Sequence, residues 1–378
     1  MKRCIIIPDS FKGTVSSIQA CKIIQAAVIS IFPDCKTYMV PVADGGEGTV
    51  DSFLYAMKGF RIEVQTTGPY NEPVVAAYAR FGDTAVIETA SCAGLPLAEG
   101  RLNPRVTTTF GMGALVQHAV MHGCRKIIIG LGGSCTNDGG TGFARALGTR
   151  FYDKNGKEFA PHSDEFTQIS RIDTSVTNAY LKGIQITAMC DIDNPLCGPV
   201  GAAHMFSPQK GADYDTAILL DENLHALASR IAEDLHGSVA DVPGAGAAGG
   251  LGAGILAFLG GELKSGIETV LDTVHFDEML PGTDMIFTGE GRIDAQSFHG
   301  KVINGIANRA KKAGVPVTVI AGDIGDDIPD DVYERGITAL FSINRKALAF
   351  NDIRQYSETY MKKTVMDILR LIKTAEKR

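Results

Sequence analysis

The run Gly130-Leu131-Gly132-Gly133-Ser134-Cys135-Thr136-Asn137-Asp138-Gly139-Gly140-Thr141-Gly142 mixes glycines with hydroxyl, amide and carboxylate side chains. With few side chains in the way, several main-chain N–H groups can converge on one anion, and phosphates suit such a nest. Gly132, Gly133, Ser134, Thr136 and Asn137 are therefore candidate phosphate contacts, and Asp138 is a candidate metal ligand. The run is not a Walker loop, because no Gly-Lys-Ser/Thr closes it, and it misses the dinucleotide fingerprint spacing. A purely structural glycine loop is the competing reading.

Other short segments carry similar chemistry. Pro8-Asp9-Ser10-Phe11-Lys12-Gly13 stands where a strand passes into a helix, so Lys12 and free N–H groups can meet an anion. A capped turn with a solvated lysine is the alternative. Ala43-Asp44-Gly45-Gly46-Glu47-Gly48-Thr49 sets two carboxylates among glycines, which suits magnesium or substrate hydroxyls. In Cys190-Asp191-Ile192-Asp193-Asn194-Pro195, Asp191 leaves the end of an apolar strand, a rigid and partly dry place for a general base or metal ligand. The alternative there is an Asx turn.

Lys210, in Phe206-Ser207-Pro208-Gln209-Lys210-Gly211, can meet a carboxylate or phosphate, or lie in solvent. The uncharged stretch Pro243–Gly252 can bind only through its main chain, and close helix packing explains it equally well. Gly289, Glu290, Arg292, Asp294 and Lys301 gather charge at another strand end, against the alternative of a salt-bridged surface turn.

Several classes are excluded. His118, His122, His204 and His299 show no metal-ligand spacing, and no HExxH occurs, so zinc is not expected. Ser134 lacks the context of a nucleophile elbow. The net charge is −7 without a basic stripe, so no nucleic-acid partner is expected. The 8 cysteines form no CxxC pair and are read as inert thiols of a reducing compartment. The first apolar run breaks at Pro8, too early for a secretory signal or a membrane span. The expected location is the cytoplasm, with no membrane partner.

These loops need a scaffold that presents them together. Apolar runs at 4–7, 37–42, 285–288, 315–321 and 338–343 predict strands. Helices are predicted from a Ser16 or Ser17 cap onward, over 49–57, over 302–313 and over 357–373. That alternation is α/β, with five parallel strands built from both chain ends. Between them, 61–67, 74–80 and 85–89 predict an antiparallel meander, and 126–131 and 184–190 predict two further strands. The segment 150–178 is polar and fits no element clearly. The expectation is one domain from 1–60 plus 283–378, with a mixed-sheet α/β domain, 61–282, inserted in it. Ligands should sit at the carboxyl ends of the parallel strands.

PDSFKG, PVADGGEGT, ETAS, LGGSCTNDGGTG, CDIDNPL, FSPQKGA, PGAGAAGGLG and TGEGRIDAQS, in that order, resemble the motifs of the type-1 glycerate kinase family. The resemblance runs from Pro8 to beyond Lys301. It implies two α/β domains, the outer one flavodoxin-like, and ATP-dependent phosphorylation of D-glycerate to 2-phosphoglycerate with magnesium. Asp191, Lys12 and Asp44 are then the expected catalytic residues. Ser10, Lys210, Arg292 and Asp294 would contact substrate. Gly132, Gly133, Ser134, Thr136, Asn137, Gly289, Glu290 and Lys301 would hold phosphates, and Asp191 and Asp138 the metal. Another hydroxy acid, a 3-phosphoglycerate product, or a non-enzymatic sensor of phosphometabolites are the alternatives. Departures fall at Cys92 and Cys135, where members often carry a small residue. Met112 stands where members often have threonine, and it is expected to bear on a substrate-facing loop.

Overall fold

A computed structural model describes residues 1–298 and 302–376, so Lys301 lies outside the described residues. In chain order the strands are β1 (Arg3–Ile6), β2 (Lys36–Met39), β3 (Phe60–Thr67), β4 (Pro73–Phe81), β5 (Thr84–Glu88), β6 (Lys126–Gly130), β7 (Arg150–Tyr152), β8 (Glu158–Phe159), β9 (Arg171–Asp173), β10 (Gln185–Met189), β11 (Glu262–Lys264), β12 (Met285–Ile293), β13 (Val317–Ile324) and β14 (Ala339–Ser342). Two compact units result. One takes in Met1–Ala43, Asp51–Lys58 and Ser265–Arg378; the other takes in Asp44–Val50 and Gly59–Lys264.

The first unit holds a five-stranded sheet of order β14-β13-β12-β1-β2, in which every pairing is parallel. Its central strands β1, β12 and β13 carry continuous buried runs because both faces are covered there, whereas the edge strands β2 and β14 are only partly buried. On one face Cys4, Ile6, Phe287 and Ile320 pack with the helices Ser17–Ile31 and Ser357–Ala375. The first helix starts at the expected serine. Ser16 Oγ accepts from Gln19 N at 3.2 Å, while Gln19 Oε1 accepts from Ser16 N at 3.0 Å, a reciprocal cap. Its buried residues Ala20, Cys21, Ile24, Ala27 and Val28 recur at helical spacing. β12 runs on to Ile293, five residues past the expected end at 288, because its parallel ladder with β13 continues through Arg292↔Asp323 and Ile293↔Ile324.

The second unit holds a six-stranded mixed sheet of order β11-β10-β6-β5-β4-β3. The β3-β4-β5 part is the antiparallel meander, and β5, β6, β10 and β11 run parallel. The polar stretch 150–178 forms a small antiparallel sheet of order β8-β7-β9 followed by the short helix Ser175–Tyr180. Its strands are two or three residues long, too short to show a periodicity. The core of this unit gathers Ile127 and Ile129 of β6 with the helices Phe110–Met121, Tyr214–Leu235 and Ala247–Leu259. Among the described residues, no helix is long and apolar enough to cross a membrane.

Met112 corrects an expectation. It faces no substrate loop but is fully buried in this core, near the start of the helix Phe110–Met121. Met112→Ala should therefore cost about 2–5 kcal/mol in urea unfolding, as a cavity in a packed core does. A wild-type unfolding midpoint would place the side chain elsewhere.

Candidate active site

Parallel pairing sets Glu88, Gly130 and Met189 side by side at the carboxyl ends of β5, β6 and β10, with Lys264 ending β11 beside Met189. The chain leaves all four strands on one side of the sheet, where open α/β sheets bind ligands. The loop after β6 is fixed by its main chain. The Gly130 carbonyl accepts from Thr89 N at 2.9 Å and from Thr89 Oγ1 at 2.7 Å. Leu95 N donates to Gly133 O at 2.9 Å, and Cys135 N donates to Ala93 O at 2.8 Å. The stretch Thr89–Leu95, which begins in the ETAS motif, thus acts as a brace for the glycine-rich loop.

The Asp44–Gly46 segment lies directly on this loop. Gly132 N donates to Gly45 O at 3.0 Å. A Cβ on Gly130 would stand 2.3 Å from Gly45 O, and one on Gly132 would stand 2.6 Å from the Gly46 Cα. Main chain touches main chain here, so the glycines are required by close approach. Asp44 is brought to the mouth of the loop as a consequence.

Asp44, Gly132, Gly133, Ser134, Asp191 and Lys210 line one cavity of about 330 Å³, together with Met189, Phe206, Gln209 and Ala248. Lys210 is buried, and its ammonium donates to Ser134 Oγ at 3.0 Å and to Thr136 O at 2.6 Å. It is set there by the tight turn Pro208–Lys210, which Gly211 ends at φ 97°. Burial lowers its pKa to about 8, while Cys135 and Asp138 pull the other way. The solvated-lysine alternative is thus removed for Lys210. Asp44 and Asp191 are exposed, so Asp191 does not occupy the partly dry position expected of it. The strand β10 ends at Met189, two residues earlier, and the chain has already turned outward. Two accessible carboxylates on one cavity form a hard-oxygen donor set that fits magnesium.

Asp138 has another task. Its carboxylate accepts from Thr109 N at 2.7 Å, Thr109 Oγ1 at 2.9 Å, Gly140 N at 3.1 Å and Gly142 N at 3.3 Å. Burial raises its pKa, against those hydrogen bonds. It lines a different cavity, with Thr108, Arg145 and His162. With its oxygens filled by loop and helix donors, Asp138 is a clamp on the far end of the loop, and the metal assignment made from sequence is withdrawn for it.

Thr136 and Asn137 are fully buried, and neither Thr136 Oγ1 nor either polar atom of the Asn137 amide has a hydrogen-bond partner among the described residues. Neither residue lines the cavity of Lys210. Behind them Ala248, Gly249 and Gly250 are consecutively left-handed, at φ 53°, 68° and 86°. Gly249 O accepts from Gly139 N at 3.0 Å, and a Cβ on Gly249 would stand 2.0 Å from Thr136 O. The uncharged Pro243–Gly252 stretch therefore serves close packing against the loop, and its Ala247 and Ala248 also reach the cavity.

The remaining candidates lie in the other unit. Asp9 N donates to Gly289 O at 2.8 Å, which ties the Pro8–Gly13 loop to β12. Ser10 is half-buried and Lys12 is exposed beyond it. Glu290 is half-buried within β12. Arg292 is exposed and stands 3.9 Å from Asp294 and 3.8 Å from Asp323, long surface pairs of small energetic weight. Sequence reasoning did not single out Gln209 or the bracing Thr89, although both lie inside motifs it recognised. The eight cysteines are free thiols. Burial pushes Cys92 and Cys135 up to about 12, so the two departures from the family pattern are unreactive filling beneath the loop.

The pattern described as the glycerate kinase family matches residues 4–373. A glycerate kinase of Bacillus subtilis (strain 168) is 44% identical over 377 residues, covering 99% of this chain and 98% of that one. A glycerate 2-kinase of Escherichia coli (strain K12) is 46% identical over 345 residues, covering 90% of each. A crystal structure of a candidate glycerate kinase 2 from Salmonella typhimurium LT2 superposes with a TM-score of 0.87, at 38% identity and 100% coverage of both chains.

Lys210 sets a pH dependence. An anion beside the ammonium raises a pKa that stands at about 8 without it. Affinity for inorganic triphosphate should thus be full below pH 7 and fall up to about tenfold per pH unit as pH rises through 8. Calorimetric titration of wild type beside Lys210→Met checks this. Equal pH profiles for the two proteins would take Lys210 out of anion binding.

Proposed function

This chain belongs to the glycerate kinase family and is a phosphotransferase with an alcohol acceptor, and we propose that it transfers the γ-phosphoryl group of ATP to the 2-hydroxyl of D-glycerate, yielding 2-phosphoglycerate. The observation that carries the proposal is the single cavity lined by Asp44, Asp191 and Lys210 with the main chain of Gly132 and Gly133. Membership of a kinase family removes the non-enzymatic sensor reading. One relative's name, glycerate 2-kinase, supports the choice of hydroxyl.

Phosphoryl transfer asks for positioning and charge neutralisation more than for covalent chemistry. In this reading the main-chain amides of Gly133 and Ser134 and the Lys210 ammonium receive the triphosphate, while Gly132, whose amide is held by Gly45 O, keeps the loop in place. Asp191 orients the acceptor hydroxyl and takes its proton as the oxygen–phosphorus bond forms. The bond from the γ-phosphorus to the bridging oxygen breaks at the same time, and ADP leaves. Asp44 and Asp191 are the residues that would hold magnesium, which when bound neutralises phosphate charge. In the other unit Ser10, Lys12, Gly289, Glu290, Arg292 and Asp294 are proposed contacts to phosphate and substrate, on the same argument of loops at strand ends. Cytoplasmic location is proposed from the eight free thiols.

The test is turnover with ATP, magnesium and D-glycerate, with the product identified by NMR. The expected product is 2-phosphoglycerate, and Asp191→Asn should lower kcat by about two orders of magnitude or more. A product carrying phosphate only on the 3-hydroxyl would overturn the choice of hydroxyl. Undiminished kcat in Asp191→Asn would remove Asp191 as the base.

A further inference from the structure

Outside the cavity of Lys210, the second unit gathers soft and borderline ligand types in one place. Cys197 follows the Asp191 loop, His204 lies on the short helix Ala202–Phe206, and Asp221 and His225 are one turn apart on the helix Tyr214–Leu235. A sulfur of Cys197, an oxygen of Asp221 and a ring nitrogen of His225 all lie within 4.8 Å of one another. His204 Nε2 stands 3.7 Å from Asp221 Oδ2, and His225 Nε2 stands 3.6 Å from the same oxygen. The other carboxylate oxygen is occupied, accepting from Gly198 N at 2.9 Å.

Those distances decide between two readings. At 3.6 and 3.7 Å the imidazoles are too far for good hydrogen bonds to the carboxylate. Ligands around a tetrahedral zinc ion, with bonds of about 2.0–2.3 Å, stand roughly 3.3–3.8 Å apart along each edge. The Asp221–His225 separation is such an edge, and the Gly198 bond orients the carboxylate so that its second oxygen faces the imidazoles. Burial is graded as a metal site requires. The side chain of Asp221 is 12% exposed and that of His225 is 60% exposed, giving a dry inner side and an entry path.

We propose that Cys197, Asp221 and His225 form a zinc-binding site that nothing in the kinase reaction uses, with solvent completing the tetrahedron on the exposed His225 side. Thiolate and imidazole select zinc or cobalt over magnesium, so the site does not compete for the metal of phosphoryl transfer. On binding, the Cys197 S–H bond breaks, a sulfur–metal bond forms, and the proton passes to solvent. No oxidation change is involved. The consequence is mechanical. Cys197 belongs to the stretch that runs from Asp191 to Lys210, and the ion ties that stretch to a long helix. A spacing rule within one segment does not reach this site, because its ligands come from separate segments. Only the Asp221–His225 pair, four apart on a helix, was there to be read.

The inference stands apart from the proposed reaction and is tested without it. Chelator-treated full-length protein is titrated with cobalt(II) and followed by absorption. The expected result is one equivalent bound, with a thiolate-to-cobalt charge-transfer band and intense tetrahedral d–d bands, displaced by zinc but not by excess magnesium. Cys197→Ser should remove the charge-transfer band. His225→Gln, at an exposed position, should weaken binding at least about tenfold without unfolding the protein. No charge-transfer band in wild type, or a band unchanged in both variants, overturns the site.

Discussion

Two stretches of main chain touch without side chains between them, and the arrangement of the candidate site follows from that contact. Gly132 donates to the Gly45 carbonyl, and added Cβ atoms at Gly130 or Gly132 would stand 2.3 and 2.6 Å from the main chain of Gly45 and Gly46. No larger residue fits at Gly130 or Gly132 unless the backbone moves. Because the contact is so close, a carboxylate from a segment far away in sequence arrives at the glycine-rich loop, and the contact itself takes up only the Gly132 amide. The stretch Thr89–Leu95, through Thr89, Ala93 and Leu95, holds the loop from its other side. Rigid main chain is what phosphoryl transfer needs, since its catalysis is mostly placement.

Lys210 adds the charge. At pH 7 its burial opposes folding by an amount on the order of 3 kcal/mol, judged from a pKa lowered to about 8. The sign is that of a buried cation. The cost is present in full below pH 8 and disappears as pH rises toward the unfolded value near 10.4. Ser134 Oγ and Thr136 O accept two of the three ammonium protons. An incoming anion relieves the rest, so binding and folding are coupled at this one side chain. Asp138, four residues beyond Ser134, works the opposite way. Its carboxylate is saturated by loop donors and holds the loop closed at its far end.

The scaffold was legible where its physics is local. The Ser16 cap, the apolar runs of β1, β6 and β10, and the alternation of β3 to β5 all carry their own signals. The site was legible as a set of loops, because glycine, carboxylate and lysine at strand ends are unusual enough to stand out. What sequence could not show was direction. Asp44, Asp191 and Lys210 face one cavity, whereas Asp138 lies in the same motif as Ser134 and turns away into backbone amides. Met112, a departure from the family pattern expected to bear on a substrate-facing loop, packs in the core. The strands of the 150–178 stretch are shorter than any period that could reveal them.

Amide hydrogen exchange with and without ATP, magnesium and D-glycerate tests the central claim most directly, because it reads the main chain that is held to do the binding. Exchange should slow at Gly133 and Ser134, across 190–192 and across 206–211 when the ligands are added. Unchanged exchange in all three stretches, with protection arising elsewhere in the chain, would contradict the account.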